Sequence, residues 1–171
     1  MSFAALRALV RQHQAGLLLD TNVLLLFLAE AVGGNFARRW SRTDGFADEH
    51  IAALHAATIE AKRFVTTPHV LTEATNLAGS GTARDHDRRR LNELLRAFAA
   101  EAEEQYPRAR IVAADSAFTR LGLADLAQAF HRKRSRPLVL TDDAPLTREL
   151  EGRGLPVANL SHYAFPASMY Q

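Results

Sequence analysis

The 171-residue sequence contains no cysteine. That excludes disulfides, thiolate metal sites and a cysteine nucleophile, and it fits a reducing compartment such as the cytoplasm. Lysine is almost as scarce: of the 21 basic residues only Lys62 and Lys133 are lysines, and the rest are arginines. Long apolar runs are missing too. The stretch 23–29 stops at Glu30, and no segment approaches the ~20 residues that span a bilayer, so no membrane partner is expected. Met1-Ser2-Phe3-Ala4-Ala5-Leu6-Arg7 lacks the long apolar core of a targeting segment. No linker, low-complexity stretch or internal repeat interrupts the chain, so residues 1–171 read as one domain. A chain of this length buries roughly two-thirds of its unfolded surface.

What is present is ordinary in amount: 47% hydrophobic and 23% charged residues, the balance of a soluble globular protein. The net charge of +2 is small, so the kind of base says more than the sum. Arginine binds phosphate through a planar fork, and an arginine-rich surface suits a nucleic-acid partner. An alanine- and arginine-rich genome yields the same composition, so charge alone decides nothing.

The segment Gly16-Leu17-Leu18-Leu19-Asp20-Thr21-Asn22-Val23-Leu24 organises the rest. Three leucines before an acid read as a strand buried on both faces. After it, Val23, Leu24, Phe27, Leu28 and Ala31 keep a helical spacing, predicting a helix over 22–32 that stops at Gly33-Gly34. Upstream, Phe3, Leu6, Leu9 and Val10 predict an amphipathic helix within 2–14. Residues 33–46 read as a loop or insertion, and 47–62 as a helix. Phe64-Val65-Thr66 is a strand, and Thr67-Pro68 caps and opens a helix to about residue 78. A long charged helix is expected over 84–105, a strand at Ile111-Val112-Ala113, and helical segments at 117–121 and from 124 to about 133, broken at Gly122. Leu138-Val139-Leu140 is a buried strand ended by Thr141-Asp142-Asp143; a helix at 145–151 and a strand at 157–160 follow. Strands alternating with helices predict an α/β fold, a three-layer α/β/α sandwich around a parallel sheet.

Within that frame a few carboxylates are out of place. Asp20 and the Asp142-Asp143 pair end buried strands, so they share the rim where open parallel sheets bind ligands. Glu73 follows Val70 by three and precedes Leu77 by four, on or beside a core-facing stripe, and Asp125 stands between Leu123 and Leu126. Two carboxylates ~4 Å apart repel by roughly 4 kcal/mol at an effective dielectric near 20. A hard divalent ion offsets that cost, and oxygen-only ligands favour Mg²⁺ or Mn²⁺ over zinc. Each acid also has a plainer use. Asp20 or Asn22 caps the helix that follows, Thr21 is a turn residue, and Asp142 or Asp143 caps the 145–151 helix. Glu73 is a solvated helix residue, and Asp125 a first-turn acid favoured by the helix dipole. The metal-binding reading accounts for all of them together.

Leu18-Leu19-Asp20-Thr21-Asn22-Val23-Leu24, Thr67-Pro68-His69-Val70-Leu71-Thr72-Glu73, Leu121-Gly122-Leu123-Ala124-Asp125 and Val139-Leu140-Thr141-Asp142-Asp143, in this order, resemble the PIN-domain family, VapC-like ribonucleases included. The resemblance covers about residues 16–161 and implies a Rossmann-like sheet and an Mg²⁺- or Mn²⁺-dependent endoribonuclease. Asp20, Glu73 and Asp125 match the family's first three acids. The family's fourth acid is expected two residues after a small hydroxyl residue, here Thr141, so the resemblance implies Asp143, with Asp142 as a substitute. Asp20, Asp125 and Asp143 are then metal ligands, Glu73 binds directly or through water, and Thr21, Asn22 and Thr141 stand behind them. The implied reaction is in-line hydrolysis of single-stranded or structured RNA by metal-activated water. Arg84, the run Arg88, Arg89, Arg90 and the run Arg132, Lys133, Arg134 are candidates for the phosphate backbone, or solvated helix faces. His69 is the one histidine placed near the site, and no histidine is expected to be catalytic. Many relatives are toxins paired with an antitoxin protein; this chain is longer than those, mainly through residues 33–50 and the 84–105 helix. Its amphipathic helices leave room for a homodimer, although core packing uses the same faces.

Two rivals remain. A phosphatase of the haloacid-dehalogenase class needs a second aspartate where Asn22 stands, and a suitably placed lysine. A non-catalytic RNA- or protein-binding module on the same fold would not need all four acids.

Overall fold

Short apolar strands between longer helices leave the centre of the sheet covered on both faces, which is why β1, Leu17–Leu19, consists of three leucines. The computed structural model describes residues 1–80, 84–131 and 136–164. Helix α1 (Phe3–Gln12) precedes β1, and α2 (Thr21–Val32), α3 (Phe36–Arg39) and α4 (Asp48–Thr58) follow it. Strand β2 (Phe64–Thr66) leads into α5 (Pro68–Ala78) and α6 (Asp85–Glu101), then β3 (Glu103–Glu104). Next come α7 (Ala109–Val112), α8 (Phe118–Ala127), β4 (Leu138–Thr141), α9 (Ala144–Gly152), β5 (Val157–Asn159) and α10 (Leu160–Ala164).

The five strands form one all-parallel sheet in the order β3-β2-β1-β4-β5. Leu18 lies level with Val65 on one side and Val139 on the other. Alternate residues feed two helical layers. Leu17, Leu19, Leu138, Leu140 and Ala158 join the larger core with Leu24, Leu54 and Leu91 from α2, α4 and α6. Leu18, Val65 and Val139 pack against Leu146 and Leu150 of α9. Val112, Leu126 and Ala127 of α7 and α8 extend that second layer as a further cluster. The architecture is a three-layer α/β/α sandwich. Among the described residues no helix is long and apolar enough to cross a membrane.

The chain starts the sheet at its centre, builds β2 and β3 to one side, and returns to build β4 and β5 on the other. The order therefore reverses between β1 and β4, and the crevice beyond their carboxyl ends is where such sheets take ligands. Asp20 and Asp143 flank that point.

Three expectations are corrected. Residues 111–113 are not a strand: Ala109–Val112 is a helical turn, with only Val112 buried. The edge strand is instead Glu103–Glu104, inside the segment read as the end of the 84–105 helix, which stops at Glu101. Pairing to β2, not any apolar pattern, makes it a strand. At the far end, Leu160 starts α10 instead of extending β5. Within the 33–46 segment, Trp40 is fully buried and stacks on Phe36 with ring centroids 5.4 Å apart. Its indole N–H donates to the Ser80 carbonyl at 3.2 Å, tying this segment to the end of α5.

Gly16 sets the entry into β1. Its φ of +106° lies where side chains are rarely tolerated, and an added Cβ would come within 2.9 Å of Val65 Cγ2. Gly16→Ala is expected to cost about 2 kcal/mol or more, read as a lowered urea midpoint with an unchanged m-value.

Candidate active site

Asp20 is only 3% exposed, yet it is not buried idly. As N-cap of α2, its Oδ1 accepts the Val23 N–H at 2.8 Å. Its Oδ2 accepts the hydroxyl of Thr141, which is fully buried at the end of β4. The same hydroxyl accepts the Asp143 N–H at 2.9 Å. One threonine thus joins the ends of β1 and β4. Asp143 in turn caps α9, its Oδ1 accepting the Leu146 N–H at 2.5 Å. Thr147 braces this cap by donating to the Asp143 carbonyl at 2.7 Å while accepting from the Asn159 amide at 2.9 Å. Capping and site-building coincide here: a cap occupies one lone pair of a carboxylate that has about four.

Glu73 reaches the rim from α5. It is exposed and lies beside the core-facing stripe, whose buried position here is its neighbour Ala74. Its Oε2 accepts the Thr21 hydroxyl at 2.7 Å, so the first turn of α2 orients it. Asp125 comes from α8, where Gly122 (φ +79°) breaks the helix as the sequence predicts and starts the turn that carries Asp125.

Electrostatics shows that these acids share one environment. The Asp125 carboxyl is pushed up to about 7, first by burial and then by the charges of Asp20, Glu73 and Asp143. Asp20 is raised to about 6, mainly by burial and further by Asp142 and Asp143, against the lowering hydrogen bonds from Thr141 and Val23. Arginine–carboxylate pairs lie elsewhere: Arg153 with Asp115 and Glu149, Arg63 with Glu103, Arg11 with Glu60. Asp20, Glu73, Asp125 and Asp143 take part in none of these. Among the described residues no three His, Asp or Glu side chains are drawn together as a finished metal-ligand group. In donor type and charge the four acids fit a hard cation; without one, the repulsion is relieved by retained protons.

Asp142, whose charge also acts on Asp20, has a partner of its own. Ser161 donates to its Oδ1 at 2.5 Å, and His50 Nε2 lies 3.1 Å from the Ser161 hydroxyl. His50 Nδ1 accepts the Ala47 N–H at 3.1 Å, which leaves the imidazole proton on Nε2 to donate to Ser161. Sequence reasoning missed this relay, because 111 residues separate His50 from Ser161 and neither belongs to a motif. Asn22 is exposed and is not the cap of α2, a place that Asp20 takes. His69 donates from Nε2 to the Pro107 carbonyl at 3.1 Å, pinning α5 to the loop after β3.

Of the basic candidates, Arg84, Arg89 and Arg90 are exposed, and Arg90 pairs with Glu93 at 3.2 Å. Arg88 is half-buried. All four lie at the start of α6, which packs on α2 and α5, the helices that follow Asp20 and carry Glu73. Arg132, Lys133 and Arg134 lie outside the described residues. No protein-family model matches the chain, and no curated protein matches it.

The raised carboxyls have a sign that can be tested. An ordinary aspartate loses its proton near 3.8, whereas folded Asp125 holds it to about 7. Between those values the folded protein binds a proton that the unfolded chain has released, so stability falls as pH rises through that window. Asp125→Asn removes this loss. In metal-free buffer at pH 8 its Tm should exceed wild type by several degrees, about 1–3 kcal/mol, and the gain should vanish near pH 4 in a calorimetric series.

Proposed function

We propose that the chain is an Mg²⁺- or Mn²⁺-dependent endoribonuclease of the PIN type. The observation that supports this most is the arrival of Asp20, Glu73, Asp125 and Asp143 from four elements at the sheet's reversal point, in one charge field. An all-carboxylate rim favours a hard divalent cation over zinc or a transition metal of softer preference. Such an ion, when bound, supplies an activated water and neutralises charge on the scissile phosphodiester.

The chain's own residues divide the remaining work. Asp20 is the most constrained ligand, held at both oxygens by Val23 and Thr141. Asp143 serves as the fourth acid, since Ser161 draws the Asp142 carboxylate aside. Thr21 sets the direction of Glu73, which stays solvated and open to substrate. Asp125, with its carboxyl pushed up to about 7, is partly ionised at neutral pH and would release its remaining proton to water on binding a cation. Arg84, the N-cap of α6, and Arg89 within it are exposed and suited to backbone phosphates, which position RNA without reading its sequence.

The test is Mn²⁺-dependent cleavage of single-stranded RNA. Wild type is expected to cleave and to lose the activity in EDTA. Asp20→Asn should reduce the rate by about 10²-fold or more while keeping its far-ultraviolet circular dichroism. Unchanged cleavage in Asp20→Asn removes the assignment to this site. A wild type that neither cleaves RNA nor binds Mn²⁺ calorimetrically is a binding module instead.

A further inference from the structure

A cavity of about 330 Å³ opens between α5 and α8, lined by His69, Thr72, Glu73, Asn76, Leu123 and Ala124. Ligand pockets begin at roughly 300 Å³, so the space suits one small ring system and not a folded segment. It borders two of the four acids: Glu73 is in its wall, and Asp125 directly follows Ala124. His69, Thr72, Glu73 and Asn76 are spaced three and four apart and so share one face of α5.

The chemistry of the lining is specific. Among the described residues, neither Thr72 nor Asn76 has a side-chain hydrogen bond, whereas Thr75 next to them donates back to the Leu71 carbonyl at 2.7 Å. The Asn76 amide offers two donors and an acceptor, and Thr72 a hydroxyl. Leu123, half-buried, makes the opposite wall apolar. The Glu73 carboxylate disfavours a phosphate or any other anion in this space. A neutral planar ring carrying N–H donors satisfies all of these conditions.

We propose that this cavity binds the nucleobase adjacent to the phosphate held at the acids. Asn76 and Thr72 meet its hydrogen-bonding edge, Glu73 accepts from an exocyclic amine, and Leu123 packs on its face. Bases that carry an exocyclic amine are therefore preferred over uracil. The inference rests on the ribonuclease reading for the phosphate's place, but its test does not need cleavage.

Fluorescein-labelled hexamers of adenylate, cytidylate and uridylate are titrated with the protein in Ca²⁺, and binding is followed by anisotropy. Wild type should bind the adenylate or cytidylate hexamer more tightly than the uridylate one. Asn76→Ala should weaken the preferred hexamer about tenfold and change the uridylate one by less than about twofold. Asn76→Asp, which keeps the size and removes the donors, should do the same. Asn76 and Thr72 are exposed, so unchanged circular dichroism is expected for both variants. Equal weakening of all hexamers, no change in their order, or no binding by wild type overturns the pocket. Retained Mn²⁺-dependent cleavage alongside any of these leaves the nuclease reading standing. An Asn76-dependent preference without cleavage sinks the nuclease reading and keeps the pocket.

Discussion

The Thr141 hydroxyl is the contact on which the geometry of the acidic rim depends. It donates to Asp20 and accepts from the Asp143 amide, so the end of β1, the end of β4 and the start of α9 meet at one oxygen. A buried hydroxyl with both roles filled specifies direction as well as distance, because neither partner can be exchanged without leaving a polar group unsatisfied. Carboxylates that repel one another stay in register only if something other than their own attraction places them. Here helix caps and threonines do so: Val23 and Leu146 amides for the aspartates, Thr21 for Glu73.

How far the sequence carries depends on what kind of force makes each element. Asp20 and the Thr141-Asp142-Asp143 run were legible because buried parallel strands read as uninterrupted apolar runs, and a charge at their end has one place to go. The Gly122 break was legible for the same local reason. Glu103–Glu104 was not, since an edge strand of two glutamates exists only through its pairing to β2. Ile111-Val112-Ala113 misled in the opposite direction: β-branched residues favour strands, yet among the described residues no strand pairs with them, and the segment closes as a helical turn. Glu73 shows the limit of periodicity, which gives a face to within a residue but not the exposure of its edge.

The choice between Asp142 and Asp143 could not be made from adjacency. In the folded chain the two carboxylates have different partners, Asp142 engaged by Ser161 and backed by His50, Asp143 turned to the cap of α9. Residues far apart in sequence thus give two adjacent carboxylates different partners. The 33–46 segment contributes in a related way: it buries Trp40 against Phe36 and anchors α5 through Ser80, and α5 carries both Glu73 and the Asn76 side of the cavity.

The brevity of β3 has a consequence for the molecule in a crowded solution. Parallel sheets expose unpaired amides and carbonyls along their outer strands, and a long flat border is a template for another chain. This border is two residues long, both glutamate, with Arg63, the residue just before β2, set 3.0 Å from Glu103. Like charges on two such borders oppose each other, so the sheet ends on this side in a short charged hem that discourages edge-to-edge aggregation.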